Sequence, residues 1–215
     1  MTWVPVNESW GVLNLEGDPA QREYVRALAH LTRVLDPTRP VVSNDGWEHL
    51  ASDILTIHDY THEAERIRER YGSREALART IREVQPAFRR ISMTGEDLVD
   101  QPVMLTEFGG INFATDPDRP HWGYSSAHDA GSFLAAYDEI VSAVLDSTDL
   151  AGFCYPQLTD NMQETNGLLT ENREPKVNIA AIHAINTRPS RSMPGEPVRA
   201  AQKASEAAVP SGTNA

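Results

Sequence analysis

Five short apolar runs, most of them followed by a helical segment, are the feature of this sequence that most restricts its fold. The strand-like runs cover residues 3–6, 39–47, 53–60, 102–110 and 150–158. Helical spacing of apolar residues predicts helices over residues 18–35, 63–91, 126–147 and 176–186, with breaks in the second near Gly72 and Pro86. Strands that are apolar on both faces are typical of a parallel sheet covered by helices, so the sequence predicts an α/β fold.

The chain divides into two parts of different composition. With 215 residues, of which 40% are hydrophobic, it is long enough for one sizeable core or two small ones. We expect one domain over residues 1–187. Residues 188–215 hold Pro, Ser, Ala and Gly without sustained periodicity, which predicts a disordered tail.

Charge and composition exclude several classes of partner. The 19 basic and 31 acidic residues give a formal charge of 19 − 31 = −12, which disfavours nucleic acid and anionic membrane surfaces. No window of about 20 apolar residues exists that would span a bilayer. The first residues, MTWVPV, lack the pattern of a secretory signal, and the single Cys154 fits a reducing compartment. A cytoplasmic protein is therefore expected.

Polar side chains gather where the apolar runs end. An α/β barrel builds its active site at this end of its strands. Glu8 and Glu107 are 107 − 8 = 99 residues apart, about three βα units, so we expect them to converge across one barrel mouth. The full set of polar and aromatic residues at strand ends is Asn7, Glu8, Asn44, Asp45, Trp47, Glu48, His58, Asp59, Tyr60, Glu107, Phe108, Tyr155, Gln157 and Asp160.

Two opposed carboxylates suit the hydrolysis of a glycosidic bond. One must be protonated to give its proton to the leaving oxygen, while the other is ionised and attacks the anomeric carbon. A separation of about 5–5.5 Å selects the retaining route, but a sequence does not reveal that distance.

A metal site is the alternative interpretation of the stretch HDYTHE. His58, Asp59, His62 and Glu63 carry ligand atoms, and His121 is a possible further ligand. However, the H-E-x-x-H pattern of zinc proteases is absent from the sequence, and His58 lies at a strand end. We therefore predict no metal and no cofactor.

Several blocks of the sequence together resemble the catalytic (β/α)8 barrel, or TIM barrel, of glycoside hydrolase family 2. That family contains β-galactosidases, β-glucuronidases and β-mannosidases. The resemblance covers about residues 2–186. The blocks are NE after WVPV, RPVVSNDGWE at 39–48, ILTIHDY at 54–60, MLTEFGG at 104–110 and YPQLTDNMQETNGLLTENREPK at 155–176.

The resemblance implies a retaining β-glycosidase that works by double displacement. Glu8 matches the general acid/base and Glu107 matches the nucleophile of the family. Asn7 matches the residue that binds the sugar 2-hydroxyl, and Tyr60 the residue that donates to the nucleophile. His58 is expected to line the same pocket. Taken singly, each carboxylate is more often a surface residue than a catalyst.

Two aromatic residues complete the expected substrate-binding set. Trp47 and Tyr155 offer flat apolar faces against which the C–H surface of a sugar can pack. Either residue can equally be a core aromatic. The sugar itself stays unidentified, although no Arg or Lys at the strand ends suits a uronate carboxylate, which disfavours a glucuronidase.

The resemblance is to part of a barrel, with parallel strands that correspond to strands 4–8 of eight. A barrel removes sheet edges, so a partial barrel exposes them. We expect little activity from the chain alone. Its predicted partners are a carbohydrate substrate and either a separate N-terminal glycosidase portion or a second copy that associates through the strand edges. The alternative function is that of a noncatalytic remnant that binds a sugar or a partner protein.

Overall fold

The computed structural model describes residues 1–94, 101–116 and 121–193, together with residues 195, 198, 199 and 203. Its helices are α1 (Pro19–Leu35), α2 (Ala64–Tyr71), α3 (Arg74–Arg79), α4 (Ala130–Leu145) and α5 (Ile179–Asn186). Its strands are β1 (Leu55–Asp59), β2 (Val103–Phe108), β3 (Ile111–Asn112), β4 (Ser125–Ser126) and β5 (Leu150–Phe153). The predicted α/β class is confirmed.

A three-stranded parallel sheet forms the centre of the fold. Its strand order is β1-β2-β5, so neighbours in the sheet are also successive long strands of the chain. Leu55 lies opposite Val103, and Val103 lies opposite Leu150 on its other side. A second, two-stranded parallel sheet pairs β3 with β4.

The first two predicted strands, 3–6 and 39–47, are not regular strands, and this part of the prediction is wrong. They are joined by isolated parallel bridges, Trp3 to Val41 and Asn7 to Asp45. Pro5 and Pro40 lack the N–H groups that a continuous ladder needs, which accounts for the interruption.

These two segments nevertheless extend the sheet. The Asp45 amide donates to the Val6 carbonyl at 2.9 Å, and the Glu8 amide donates to the Asp45 carbonyl at 3.1 Å. On the other side, the His58 amide donates to the Gly46 carbonyl at 3.2 Å, which joins the second segment to β1. The five predicted segments therefore lie side by side in chain order. Their assignment to barrel strands 4–8 stays a prediction.

The helices begin at the residues that local sequence rules favour. Asp18 accepts a hydrogen bond from the Ala20 amide at 2.8 Å, and Pro19 occupies the first turn of α1. Asp129 and Ser132 form a reciprocal capping box at the start of α4.

The long helix predicted over 63–91 is broken, as expected, near Gly72. Helix α2 ends at Tyr71, and α3 continues into a π-helical turn over Thr80–Val84. Gln85 then adopts a left-handed conformation with φ of 50°, and Pro86 follows. Pro86 lines a cavity together with Asp59, the last residue of β1.

Two clusters of buried apolar side chains form the core. The larger one lies between the central sheet and helices α2 to α5, and includes Ile57, Leu105 and Phe133, all fully buried. The smaller one brings Val6 against Val25 of α1. Together these clusters fix the sheet whose C-terminal edge carries the polar residues.

The proposed boundary at residue 187 and the disordered tail stay predictions. Most of residues 188–215 lie outside the described part of the chain. In the part that is described, Arg188 forms an ion pair with Asp138 of α4, and the Arg191 amide donates to the Leu145 carbonyl at 2.9 Å. Among the helices that the structure describes, none is both long enough and apolar enough to cross a membrane.

Candidate active site

The structure brings Glu8 and Glu107 together, as the sequence predicted. One side-chain ligand atom of each of Glu8, His58 and Glu107 lies within 4.8 Å of those of the other two. Both carboxylates are partly exposed, whereas the His58 side chain is fully buried. The two carboxylates therefore face a common space, with the imidazole beneath them.

His58 contacts three carboxylates. Its Nδ1 lies 2.8 Å from Glu8 Oε1. Its Nε2 lies 3.5 Å from Asp45 Oδ1 and 3.7 Å from Glu107 Oε1, and it has no hydrogen-bond partner within the described residues. Both nitrogen atoms of the imidazole therefore lie close to carboxylate groups.

The pKa of His58 reflects these neighbours. Burial alone lowers it, but the surrounding carboxylates, first that of Asp45 and then those of Glu8 and Glu107, raise the pKa of this imidazole to about 9. An imidazole with this pKa carries a positive charge at neutral pH. Its charge offsets part of the repulsion between the surrounding carboxylates.

Tyr60 bridges the two glutamates. Its hydroxyl donates to Glu8 Oε1 at 3.1 Å and also hydrogen-bonds to Glu107 Oε2. Burial and the hydrogen bond to Glu107 raise the pKa of Tyr60 far above its ordinary value, so the hydroxyl keeps its proton and remains a donor. The Tyr60 ring stacks on Tyr124, with centroids 3.8 Å apart and planes 10° apart.

The two glutamates differ in acidity. The hydrogen bond from His58 holds the pKa of Glu8 below its ordinary value, against the opposing effect of burial. Burial raises the pKa of Glu107, and the charges of Glu8 and Asp45 raise it further, while His58 and Tyr60 oppose this. Glu107 is therefore the weaker acid of the two.

Residues in left-handed conformations hold Glu8 in place. Glu8, Ser9 and Glu48 have φ of 52°, 59° and 51°, values that cost energy for residues other than glycine. The Ser9 amide donates to Asn44 Oδ1 at 2.9 Å, and the Ser9 hydroxyl hydrogen-bonds to the buried Glu48 carboxylate. This buried network offsets the cost and fixes the turn that presents Glu8.

The other predicted substrate residues lie in different surroundings. Asn7 is exposed beside Glu8. Trp47 is 9% exposed, its ring meets the His58 ring edge at 5.6 Å, and its Nε1 has no partner among the described residues. Tyr155 packs against Tyr137, and its hydroxyl accepts from the Ile111 amide at 3.1 Å. The predicted sugar contacts of these residues stay predictions.

A cavity of about 650 Å³ opens beside Glu8. Two arginines on its wall are held by acidic neighbours, Arg66 by Glu63 and Arg70 by Asp59. The residues that line it are Glu8, Trp47, Asp59, Tyr60, Thr61, His62, Glu63, Arg66, Arg70, Pro86, Ala87, Phe88 and Tyr124.

The side chains that could hold a metal are not those of the HDYTHE stretch, which the sequence offered as a candidate metal site. Within the described residues, one group of three candidate ligands is brought together, and it consists of Glu8, His58 and Glu107. The group contains neither His62 nor Glu63. Its members are the residues that the sequence assigned to catalysis and substrate binding.

Three residues of the site had weaker signals in the sequence. Asp45 stands at a strand end next to Gly46, but nothing indicated that its carboxylate would face His58. Tyr124 lies in a stretch without strand or helix periodicity, and Phe88 lies in the predicted helix 63–91, beyond its expected break at Pro86, so no pattern pointed to the cavity that both of them line.

Comparison with known proteins gives matches in structure alone. No family model matches the sequence, and no curated protein sequence matches it. The fold is similar to the β-glucuronidase of Dictyoglomus thermophilum, with a TM-score of 0.56, 18% identity, and coverage of 88% of this chain and 32% of that chain.

Two further solved structures give the same result. The family 2 β-galacturonidase of Eisenbergiella tayi, bound to galacturonate, matches with a TM-score of 0.58 at 16% identity, covering 86% of this chain and 32% of that one. The Bifidobacterium dentium β-glucuronidase, complexed with coumarin-3-O-glucuronide, matches with a TM-score of 0.53 at 19% identity. This match covers 88% of this chain and 31% of that one. The chain thus spans about one third of the proteins it resembles. Its fold is similar to that of part of a family 2 glycoside hydrolase, which confirms the resemblance seen in the sequence.

Proposed function

We propose that this chain carries the catalytic residues of a retaining β-glycosidase. The observation that carries the proposal is the approach of the Glu8 and Glu107 carboxylates to within 4.8 Å, with the Tyr60 hydroxyl bonded to both. Retaining enzymes have carboxyl groups about 5–5.5 Å apart, whereas inverting enzymes leave about 6.5–9.5 Å for a water molecule. The close approach favours the retaining route.

Double displacement assigns each carboxylate two steps. Glu8 gives its proton to the glycosidic oxygen as the C–O bond breaks, and Glu107 attacks the anomeric carbon to form a glycosyl ester. Glu8, now ionised, then takes a proton from water, whose oxygen attacks the same carbon and releases Glu107. The sugar leaves with its original anomeric configuration.

The neighbouring residues support these steps without reacting. Tyr60 holds Glu107 in line through its hydroxyl, and Asn7 is available to the sugar 2-hydroxyl, a contact that is strongest in the transition state. His58 is fully buried behind the carboxylates, so we assign it to holding them in place instead of contacting the sugar.

The pKa values of Glu8 and Glu107 are ordered opposite to the roles assigned to these two residues. Double displacement in this form needs Glu8 protonated and Glu107 ionised, but the pKa of Glu8 is lowered and that of Glu107 is raised. The assignment of roles therefore rests on the family resemblance. The reversed assignment, with Glu107 as acid and Glu8 as nucleophile, is the second candidate, and the pKa order favours it.

The resemblance also limits the class of substrate, to β-glycosides, but it does not identify the sugar. The matched proteins are described as glucuronidases and a galacturonidase. The strand ends of this chain lack an obvious cation for a uronate, so galactosides, glucosides, mannosides and glucuronides are all candidates. A cytoplasmic location belongs to this proposal as well, as does a partner, which is either a separate N-terminal portion that completes the barrel or a second copy that associates through exposed strand edges.

Hydrolysis of 4-nitrophenyl β-glycosides of these four sugars tests the proposal. We expect Glu8→Gln and Glu107→Gln each to reduce any measured rate by several orders of magnitude, because both steps need the pair. Glu23→Gln, at an exposed site on α1, is the matched control. Rates unchanged in both active-site variants would show that neither carboxylate is catalytic and would favour the noncatalytic binding module.

Covalent trapping decides between the two role assignments. A 2-deoxy-2-fluoro glycoside with a good leaving group slows the second step and leaves the sugar attached to the nucleophile. Peptide mass spectrometry then identifies the labelled residue. A label on Glu107 supports the assignment made here, and a label on Glu8 supports the reversed one.

A further inference from the structure

A second cavity, of about 630 Å³, lies against β5. All four residues of this strand, Leu150–Phe153, line it, together with the segment that follows α5. Within the described strands, β2 is the one neighbour of β5, so the other edge of β5 is open. Pockets for small molecules have volumes of about 300–1,000 Å³. The cavity therefore has room for a small molecule beside this strand edge.

Part of the lining is apolar. Leu145 at the end of α4 and Leu150 at the start of β5 are buried, and Phe153 is partly exposed with its ring edge-on to Phe108 at 5.8 Å. Met193, on the segment after α5, is 56% exposed. Its unbranched side chain adapts to the shape of what it contacts. An apolar group placed here leaves water and covers exposed apolar surface, which favours binding.

The segment after α5 is held against α4. Arg188 Nη2 donates to Asp138 Oδ2 at 2.9 Å, and the Arg191 amide donates to the Leu145 carbonyl at 2.9 Å. These contacts position this wall of the cavity before a ligand arrives. Less conformational entropy is then lost on binding than if the wall had to order itself around the ligand.

Two positive charges on the lining are not balanced by acidic neighbours. The charge of Arg188 is offset by its ion pair with Asp138. Arg199 and Lys203 are exposed, line the cavity and form no ion pair with any other residue that the structure describes. An anionic group can therefore form charge-assisted hydrogen bonds with them without displacing an existing partner. The chain as a whole carries a charge of −12, so its surface in general repels such a group.

We propose that this cavity binds a small organic anion, with the apolar body of the ligand against β5 and its carboxylate at Arg199 and Lys203. The inference does not depend on the proposed function, because it uses none of the catalytic residues. Met193, Arg199 and Lys203 also lie outside residues 2–186, the stretch that resembles family 2. The site thus belongs to the part of this chain that the resemblance does not cover.

Three matched probes separate the apolar contribution from the charge. They are 4-phenylbutyrate, its neutral amide 4-phenylbutanamide, and butyrate, which lacks the ring, each titrated into the 215-residue chain by calorimetry. We expect 4-phenylbutyrate to bind with a Kd of about 1 mM or below. It should bind at least about 5-fold more tightly than either of the other probes, because each of them lacks one of the two contributions.

Two independent variants test the location. Arg199→Ala with Lys203→Ala should reduce the preference for the anion over the amide to below about 2-fold and leave binding of the amide unchanged. Arg26→Ala with Arg39→Ala changes the net charge equally, at two surface pairs, and should keep the preference. Ala151→Trp places a large side chain at an exposed position that lines the cavity, and it should weaken binding of both phenyl probes at least about 10-fold. Tryptophan is well tolerated in strands, so β5 is retained.

Several results would overturn the inference. One is binding of 4-phenylbutyrate that is absent at millimolar concentration or no tighter than binding of its amide. Another is an equal loss of preference in the control pair of variants, since overall charge would then be responsible. Unchanged binding in Ala151→Trp would place the ligand elsewhere on the protein. None of these results bears on the roles of Glu8 and Glu107.

Discussion

The Nδ1 atom of His58 lies 2.8 Å from Oε1 of Glu8, although 50 positions separate the two residues in the chain. The contact joins the end of β1 to the turn that follows the first segment. Because His58 is fully buried and also faces Asp45 and Glu107, its charge is tied to the folded state. Stability and the geometry of the site therefore depend on the same imidazole.

We expect the protein to lose stability as the pH rises from 6.5 to about 9. The surrounding carboxylates of the folded state raise the pKa of His58 from 6.5 to about 9, so the stabilisation is complete below pH 6.5 and is lost through this window. A shift of this size corresponds to at most about 3.5 kcal/mol. Urea unfolding at a series of pH values measures the loss.

The His58→Gln variant isolates this effect. It should be less stable than the unaltered chain at pH 6 and should show a much smaller loss towards pH 9. His30→Gln, at an exposed position on α1, should keep the original pH dependence. The same slope in His58→Gln as in the unaltered chain would show that His58 is not the responsible group.

Removal of the Tyr60 hydroxyl should damage catalysis more than folding. Tyr60→Phe keeps the ring that stacks on Tyr124 but removes the donor shared by Glu8 and Glu107. We expect a loss in kcat of about 100- to 1,000-fold, the usual effect of deleting one preorganised donor. Steady-state kinetics measure it, with Tyr24→Phe as the control. A loss below about 3-fold would exclude the bridging role.

Gly46 and Gly11 offer a matched pair of backbone positions. Both have positive φ, 96° and 86°, so alanine at either position carries a conformational cost of about 1–2 kcal/mol. A Cβ at Gly46 would also lie 2.7 Å from two atoms of the His58 ring, whereas one at Gly11 would have no neighbour within 4 Å. Gly46→Ala should therefore reduce the free energy of unfolding clearly more than Gly11→Ala. Equal losses would mean that the His58 ring moves without cost.

The ion pair beneath Tyr60 should be sensitive to the loss of one partner. Arg70 Nη1 lies 2.8 and 2.7 Å from the two carboxylate oxygens of Asp59, which is 1% exposed and also accepts from the Tyr71 hydroxyl. Arg70→Met leaves a buried carboxylate uncompensated, which costs about 3–5 kcal/mol of unfolding free energy.

A double variant and a surface pair complete that test. Asp59→Asn in the Arg70→Met background removes the stranded charge and should recover part of the loss. Arg26→Met, which breaks a surface pair with Glu23, should cost no more than about 1 kcal/mol. If Arg70→Met lost as little unfolding free energy as Arg26→Met, the ion pair between Arg70 and Asp59 would not be buried in solution.

Local rules in the sequence determined where the helices and main strands lie. Asp18 and Pro19 predicted the start of α1 and Gly72 the end of α2, because capping and chain termination act between neighbouring residues. The polar residues after each apolar run, Glu8 and Glu107 among them, were also visible. For that reason the pair of carboxylates could be predicted.

Only the tertiary structure decided what surrounds those carboxylates. The register between β1 and β2 shifts between Ile57 and His58, so that Ile57 lies opposite Leu105 while His58 lies opposite Glu107. A shift of one residue in a strand moves a side chain to the other face of the sheet, and no local pattern encodes it. The burial of His58 beneath Glu8 and the stacking of Tyr124 on Tyr60 depend on such long-range register and packing.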